Sequence, residues 1–278
     1  MNEIQKELIK ILEAVQQVCD DLGLTYYLVN GTALGARKYG GFIPWDDDID
    51  IAMPRKDYDV FCAKAQERLP EHLFLQNYKT DRRFPLLYSK IRNSNTTFIE
   101  SGVQHFDMNH GIYIDVFPLD GYPERRLSRW RMCCMMKVFS WMQFCGFDGP
   151  DSIHKFFLRK MGFHKRTAKT LANMEKTIRR FEHYTNISCD YADRQGRGCI
   201  PWDYYGDGQI VKFEHLHIKI PSQIDAYLTY KYGDWRAELP CEQQVSHHKA
   251  VVCDLNRSYL TYVNKSDMPS ASAADIYK

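Results

Sequence analysis

Apolar residues recur at helical spacing from the start of the chain. Ile4, Leu8, Ile11, Leu12, Val15, Cys19 and Leu22 share one face, and Gly23 ends the run. This predicts a helix over 3–22 that packs against a sheet. Thr25 to Val29 then reads as a first strand, Asn30-Gly31-Thr32 as a tight turn and Ala33 to Arg37 as the start of a short helix. From Asp48 to Met53 polar and apolar residues alternate, which is a half-buried strand. Pro54 suits a helix start, with Tyr58, Phe61, Ala65 and Leu69 on its apolar face. Leu73 to Gln76, Leu86 to Arg92 and Gly111 to Asp120 read as further strands, with Asp120 capping a turn after Pro118.

Between Glu124 and about Arg180 the pattern changes. W-R-M-C-C-M-M-K-V-F-S-W-M-Q-F-C-G-F is rich in methionine and aromatics, and F-F-L-R-K-M-G-F-H-K-R mixes cations among apolar residues. Leu171, Met174, Ile178 and Phe181 mark another helix. Such stripes ordinarily pack a helical subdomain; the sharper reading is a basic, aromatic surface resting on a membrane through 124–170. Strands return at Gln209–Phe213 and Leu216–Ile220, and a helix from Pro221 carries Tyr227, Leu228 and Tyr232 to a cap at Gly233. Residues 266–278 are small and polar and read as a frayed tail.

Composition narrows the field. The 278 residues suffice for a sizeable core, and 37 Lys and Arg against 35 Asp and Glu leave no global field to recruit nucleic acid. Nine cysteines lack metal-binding spacing, are odd in number and include adjacent Cys133 and Cys134, which points to reduced thiols and a cytoplasmic setting. Neither a signal region nor a membrane-spanning apolar run is expected from the pattern.

Candidate chemistry concentrates between Leu28 and Met53. Asp46, Asp47, Asp48 and Asp50 crowd four carboxylates into five residues. On a strand Asp48 and Asp50 share a face, opposite Ile49 and Ile51. Their repulsion is relieved either by raised pKa values or by a hard divalent cation taking oxygen ligands. Upstream, Gly31 and Thr32 stand where a glycine turn would aim backbone N–H groups and a hydroxyl at an anion. Asp115 lies among five hydrophobes and needs a buried partner. Lys90 and Arg92 share one strand face, as surface charges or as cations facing the site. His247 and His248 diverge as neighbours, and one of them, taken as His247, would contact phosphate or act as an acid. Trp202, Tyr204, Tyr205 and Trp235 would suit a cage for a quaternary ammonium, or simply core.

G-T-A-L-G-A-R, then G-F-I-P-W-D-D-D-I-D-I-A-M, then H-G-I-Y-I-D-V-F-P-L-D at 110–120 together resemble the LicD/fukutin family. Weaker likenesses lie in Y-S-K-I-R-N-S-N-T-T-F-I-E and in L-P-C-E-Q-Q-V-S-H-H. The resemblance implies a polymerase-β-like nucleotidyltransferase fold. That is an α+β chain with a mixed sheet flanked by helices: catalytic core over 1–123, helical insert over 124–205 and the rest of the core over 206–265. It implies that Asp115 joins Asp48 and Asp50 as a catalytic carboxylate, with Asp46, Asp48, Asp50 and Asp115 around Mg²⁺ or Mn²⁺. Asp115 would be either a ligand or the acceptor of the attacking hydroxyl's proton. Gly31, Thr32, Arg37, Lys90 and Arg92 would hold the phosphates.

The family activity implied is transfer of phosphocholine, or a related phospho-alcohol, from a CDP-alcohol donor to a hydroxyl of a cell-surface glycan, with CMP released. CDP-choline is the favoured donor, and a lipid-linked acceptor would place the protein at the inner face of a membrane. Two rivals differ in outcome: a nucleotidyltransferase taking CTP or ATP and releasing pyrophosphate, and a non-catalytic glycan- or nucleotide-binding protein.

Overall fold

The computed structural model describes residues 1–145, 153–183, 186–189, 199–246, 248 and 250–263; His247 and the 266–278 tail lie outside them. In chain order the elements are α1 (Glu3–Leu22), β1 (Tyr27–Leu28), α2 (Asn30–Tyr39), β2 (Asp50–Pro54), α3 (Arg55–Lys64), β3 (Leu73–Gln76), β4 (Ser89–Asn93), β5 (Thr97–Glu100) and β6 (Ile112–Gly121). There follow α4 (Arg126–Phe144), α5 (Ile153–Lys160), α6 (Thr167–Ile178), β7 (Ile187–Cys189), β8 (Cys199–Pro201), α7 (Trp202–Tyr205), β9 (Gln209–Phe213), β10 (Leu216–Ile220), α8 (Ile224–Tyr232), β11 (Ala250–Asp254) and α9 (Leu260–Val263). The fold is α+β.

The main sheet has the order β1-β2-β6-β4-β3, and β7 and β8 extend it from the far end of β6. β2 and β6 run parallel; β1–β2, β6–β4 and β4–β3 are antiparallel. The parallel pair sets the register that matters, Asp50 opposite Asp115, and across β6 the antiparallel register sets Lys90 opposite the same Asp115. Three charged residues from three adjacent strands therefore meet on one row.

α1 begins with a capping box between Asn2 and Gln5 and ends at Gly23 with φ +64, a conformation glycine adopts without strain. Its buried stripe of Leu8, Ile11, Leu12, Val15 and Cys19 joins the central core with Ile51, Ile114 and Val116. α1 does more than pack, because buried Gln5 donates to the carbonyl of Asp46 at 2.9 Å. Two small antiparallel pairs complete the layers: the β9–β10 hairpin, and β5 with β11. Neither β5 nor β11 is anticipated by the sequence pattern.

Asp120 corrects an expectation. It is a strand residue, 1% exposed, that accepts from Arg55 Nε at 2.7 Å and from Nη2 at 2.5 Å. The fork-shaped guanidinium matches a buried carboxylate better than a turn cap would. The segment after β6 holds α4, α5 and α6 but also β7 and β8, which pair with each other and with Asp120 and Gly121 of β6. Among the described residues no helix is long and apolar enough to cross a membrane.

Candidate active site

The site is built where β1 hands the chain to α2. Asn30 carries φ +52, unusual outside glycine, and that backbone turn aims its amide at the acidic strand. Its Nδ2 donates to Asp50 Oδ2 at 2.9 Å, and its Oδ1 accepts from Lys231 of α8. The hydroxyl of Tyr227, also on α8, lies 3.1 Å from the Asn30 N–H and accepts from it. Thr32, buried, accepts from the Asp50 N–H at 2.9 Å, which fixes the start of β2 against the first turn of α2. Gly31 leaves close quarters for Asp46, since a Cβ there would lie 3.1 Å from Asp46 Oδ2.

Asp46, Asp48, Asp50 and Asp115 share this space, and all but Asp48 are buried. Burial raises the pKa of Asp50, and Asp48 and Asp115 push it further, against relief from Asn30 and Lys231. Burial and the neighbouring Asp46 hold Asp48 well above its usual range, although its side chain remains 20% exposed. Asp46 is pushed up to about 6, mainly by burial. Asp115 is also raised by burial, opposed by the Lys90 ammonium 3.0 Å from its Oδ1. Despite that proximity, Oδ1 of Asp115 lacks a hydrogen bond of acceptable geometry, so a buried oxygen is left with unused acceptor capacity.

Lys90 and Arg92 are both almost fully buried, so neither is a surface charge. Lys90 Nζ lies 3.2 Å from the centroid of the Tyr113 ring, and Arg92 lies over the same ring at 4.6 Å. Arg92 is committed to the protein: it donates to Gln76, to the Gly111 carbonyl at 2.6 Å, and stands 3.9 Å from Glu100. Burial alone would raise Glu100, but Lys90 and Arg92 outweigh it and hold its carboxyl below the usual range.

A further group enters from the chain just before β11. His248 Nδ1 lies 3.0 Å from Asp47 Oδ1, and Ser246 donates to Asp47 Oδ2 at 2.5 Å. The other ring nitrogen is 3.9 Å from Asp48. Burial lowers the pKa of His248, yet the bond to Asp47 and the charge of Asp48 raise it to about 9. Donor atoms of Asp47, Asp48 and His248 all fall within 4.8 Å of one another, a spacing that would admit a metal ion. Of the set Asp46, Asp48, Asp50 and Asp115 expected from the resemblance, this triple shares only Asp48.

The structure thus gathers Asp46, Asp48, Asp50, Asp115, Gly31, Thr32 and Lys90 around one centre. Arg37 is turned elsewhere, exposed on α2, 3.0 Å from Asp225 and over the Trp235 ring at 5.8 Å. The aromatic cage does not assemble. Trp202 packs on Tyr205, Tyr205 also meets Tyr27 and Tyr227, and Tyr204 meets Tyr230, whereas Trp235 carries Arg236 over its ring at 4.1 Å. Sequence reasoning missed Asn30, Lys231, Glu100 and Ser246 as site residues. A lone asparagine between a strand and a glycine was the one local hint.

A mixed sheet that sets carboxylates on adjacent strands beside a strand–turn–helix defines a nucleotidyltransferase-type α+β protein. The model of the family described as LicD/FKTN/FKRP, nucleotidyltransferase domain, matches residues 23–169, and the chain belongs to that family. It is 25% identical over 272 residues to the lipopolysaccharide cholinephosphotransferase LicD of Haemophilus influenzae, covering 89% of this chain and 96% of that one. It is also 26% identical over 118 residues to the uncharacterized protein RP689 of Rickettsia prowazekii, covering 42% of this chain and 40% of the relative.

Proposed function

We propose that this protein is a metal-dependent phosphotransferase. In this reading it moves phosphocholine, or a related phospho-alcohol, from a CDP-activated donor to a hydroxyl of a lipopolysaccharide-type cell-surface glycan and releases CMP. The observation that carries the proposal is the row Asp50–Asp115–Lys90 across three strands, with the partly exposed Asp48 just before Asp50. The cholinephosphotransferase matched along nearly its whole length supports the chemistry and the acceptor class.

The carboxylates fit a hard divalent cation, Mg²⁺ or Mn²⁺. Burial first, and then the neighbouring carboxylates, raise the pKa values of Asp48 and Asp50, a penalty that a cation would offset, and Asp115 Oδ1 has capacity to spare. Asp48 would hold it, with Asp46, Asp50 and Asp115 on the strand side or Asp47 and His248 on the loop side. When bound, the cation would neutralise the oxygens of the donor diphosphate.

The protein's own groups divide the remaining work. Asn30, tied to Lys231, fixes the Asp50 carboxylate, and the Thr32 hydroxyl fixes its backbone. Lys90 keeps a positive charge at Asp115, so that carboxylate stays available to take a proton from the attacking hydroxyl. Phosphoryl transfer depends chiefly on such positioning and charge. Residues 1–123 and 206–265 make one catalytic core in this reading, since α8 delivers Lys231 and Tyr227 to Asn30. The odd number of cysteines, with Cys133 and Cys134 adjacent, supports a cytoplasmic setting.

The test is CMP release by the purified chain from CDP-choline, CDP-ethanolamine, CDP-glycerol and CDP-ribitol, with Mg²⁺ or Mn²⁺ and a glycan acceptor. Metal-dependent release from one donor, abolished in Asp48→Asn, is the expected result. Pyrophosphate from CTP or ATP, with no CMP from any donor, would replace the proposal with a nucleotidyltransferase.

A further inference from the structure

α4 and α5 pack against one another, and α4 is held to the body by buried Met132 and by Gln143, which donates to the Pro85 carbonyl at 2.7 Å. The outer side of α4 is unusual. Leu127, Trp130, Cys134, Val138 and Trp141 recur at spacings of three and four residues, one stripe of a helix, and all are exposed. Trp130 is 64% exposed and Trp141 46%. α5 repeats the arrangement with Ile153, Phe156 and Phe157 at its start, and Met161 follows it. Contiguous exposed apolar side chains of this size mark a surface that meets something.

Charge identifies the partner. Residues 125–145 and 153–174 contain eleven lysines and arginines and no aspartate or glutamate. The chain as a whole carries a net charge of only +2. Arg126, Arg131, Lys137, Lys160, Lys165 and Arg166 are exposed around the apolar stripes. A second copy of the same face would bring these like charges together, which disfavours a symmetric dimer through it. Nucleic acid would engage the cations but leave tryptophan, leucine and isoleucine in water. An anionic bilayer satisfies both: headgroups take the cations, and the apolar side chains enter the boundary with the acyl region.

We propose that the exposed faces of α4 and α5 form a docking surface for anionic phospholipid. α4 starts a few residues after β6, the strand of Asp115, so docking would tie the catalytic strand to the membrane plane. The proposal does not depend on the phosphotransfer reading, because lipid binding is measured without donor, acceptor or metal.

The test is co-sedimentation of the full chain with phosphatidylcholine vesicles, with and without phosphatidylglycerol, at low and high salt. Binding only to the anionic vesicles, weakened by salt, is expected. Replacement of Arg131, Lys137, Lys160 and Lys165 by Gln, or of Trp130, Phe156 and Phe157 by Ser, should each weaken binding by roughly tenfold or more with the melting curve unchanged. Equal binding to neutral vesicles, binding to neither, or a charge variant that binds like the parent would overturn the proposal. So would a dimer in solution that Trp130→Ser converts to monomer, which would assign the face to a second copy. Should a multiple variant fail to fold, the lipid-composition and salt comparisons on the unmodified chain still decide.

Discussion

The strand face at Asp50 and the outer face of α4 break the ordinary distribution of residues in opposite directions. At the first, carboxylates and a lysine are buried among hydrophobes; at the second, tryptophans stand in water beside arginines. Burying like charges and exposing apolar area both cost stability; Asn30, Lys90 and His248 offset only part of the first cost, since Asp48 and Asp50 keep raised pKa values. In each case what would recover it is a ligand: a divalent cation for the carboxylates, an anionic bilayer for the aromatic stripe. A third region shows what a structural solution looks like. Arg55 and Asp120 are as buried as the acidic cluster, but they neutralise one another in a two-pronged bond. Arg55 and Asp120 match one for one, whereas at the site Asp46, Asp48, Asp50 and Asp115 outnumber the Lys90 ammonium beside them, and that excess marks a site.

The largest expected effect separates activity from stability. Asp48→Asn should lower metal-dependent CMP release on the order of 10³-fold or more, because it removes a charge the cation and donor require. The same variant should melt no lower than the parent in chelator, since repulsion is relieved. Calorimetry beside the CMP assay would show it. A lowered melting temperature with activity retained would make Asp48 a structural residue.

Asp120→Asn should behave in the reverse way. Breaking a buried, hydrogen-bonded pair leaves Arg55 with only the more exposed Asp59, 3.6 Å away, and should cost about 3–5 kcal/mol, read by urea unfolding. Were Asp120→Asn neutral, the distinction between paired and unpaired buried charge would collapse.

Much of this contrast was visible in the sequence, for local reasons. α1, the β9–β10 hairpin and the α8 end at Gly233 follow from periodicity and glycine, which act within a few residues. The crowding of Asp46 to Asp50 and the aromatic stripe of α4 are likewise written in adjacent positions. What stayed hidden depends on distant pairing. β11 pairs with β5 from far along the chain, and that pairing brings the chain carrying His248 back to Asp47. Neighbouring histidines give no local reason to choose between His247 and His248. Lys231 reaches Asn30 from a helix whose polar residues otherwise read as surface. Arg37 shows the converse: the motif includes it, but the fold turns it toward Asp225.

A smaller effect lies in pH. Asp46, Asp48 and Asp50 have folded-state values raised above those of the unfolded chain, Asp46 to about 6. Such groups bind protons more tightly when folded. Their contribution is full below the unfolded carboxylate range and is lost as pH rises through the raised values. Without metal, stability referable to this cluster should therefore decline as pH climbs through about 6. Mn²⁺ should counter that loss by taking the place of the protons. The rise in melting temperature on adding Mn²⁺ should be greatest near pH 8 and shrink toward pH 5, where protons compete. Differential scanning fluorimetry across that range checks the sign. A shift that grows on acidification would mean the cation binds elsewhere.

The smallest effect is the most discriminating for the α4 face. Trp130 is 64% exposed, so Trp130→Ser removes little buried contact and should change unfolding free energy by no more than about 0.5 kcal/mol. CMP release from a soluble donor and acceptor should also be unchanged. A core tryptophan replaced by a small residue loses about 3–5 kcal/mol, so urea titration separates the two cases. If the loss approached that larger figure in dilute solution, the stripe would already be covered in the free protein, by a second copy or by chain outside the described residues. The comparison with the acidic strand would then fail, because only one of the two regions would be waiting for a ligand.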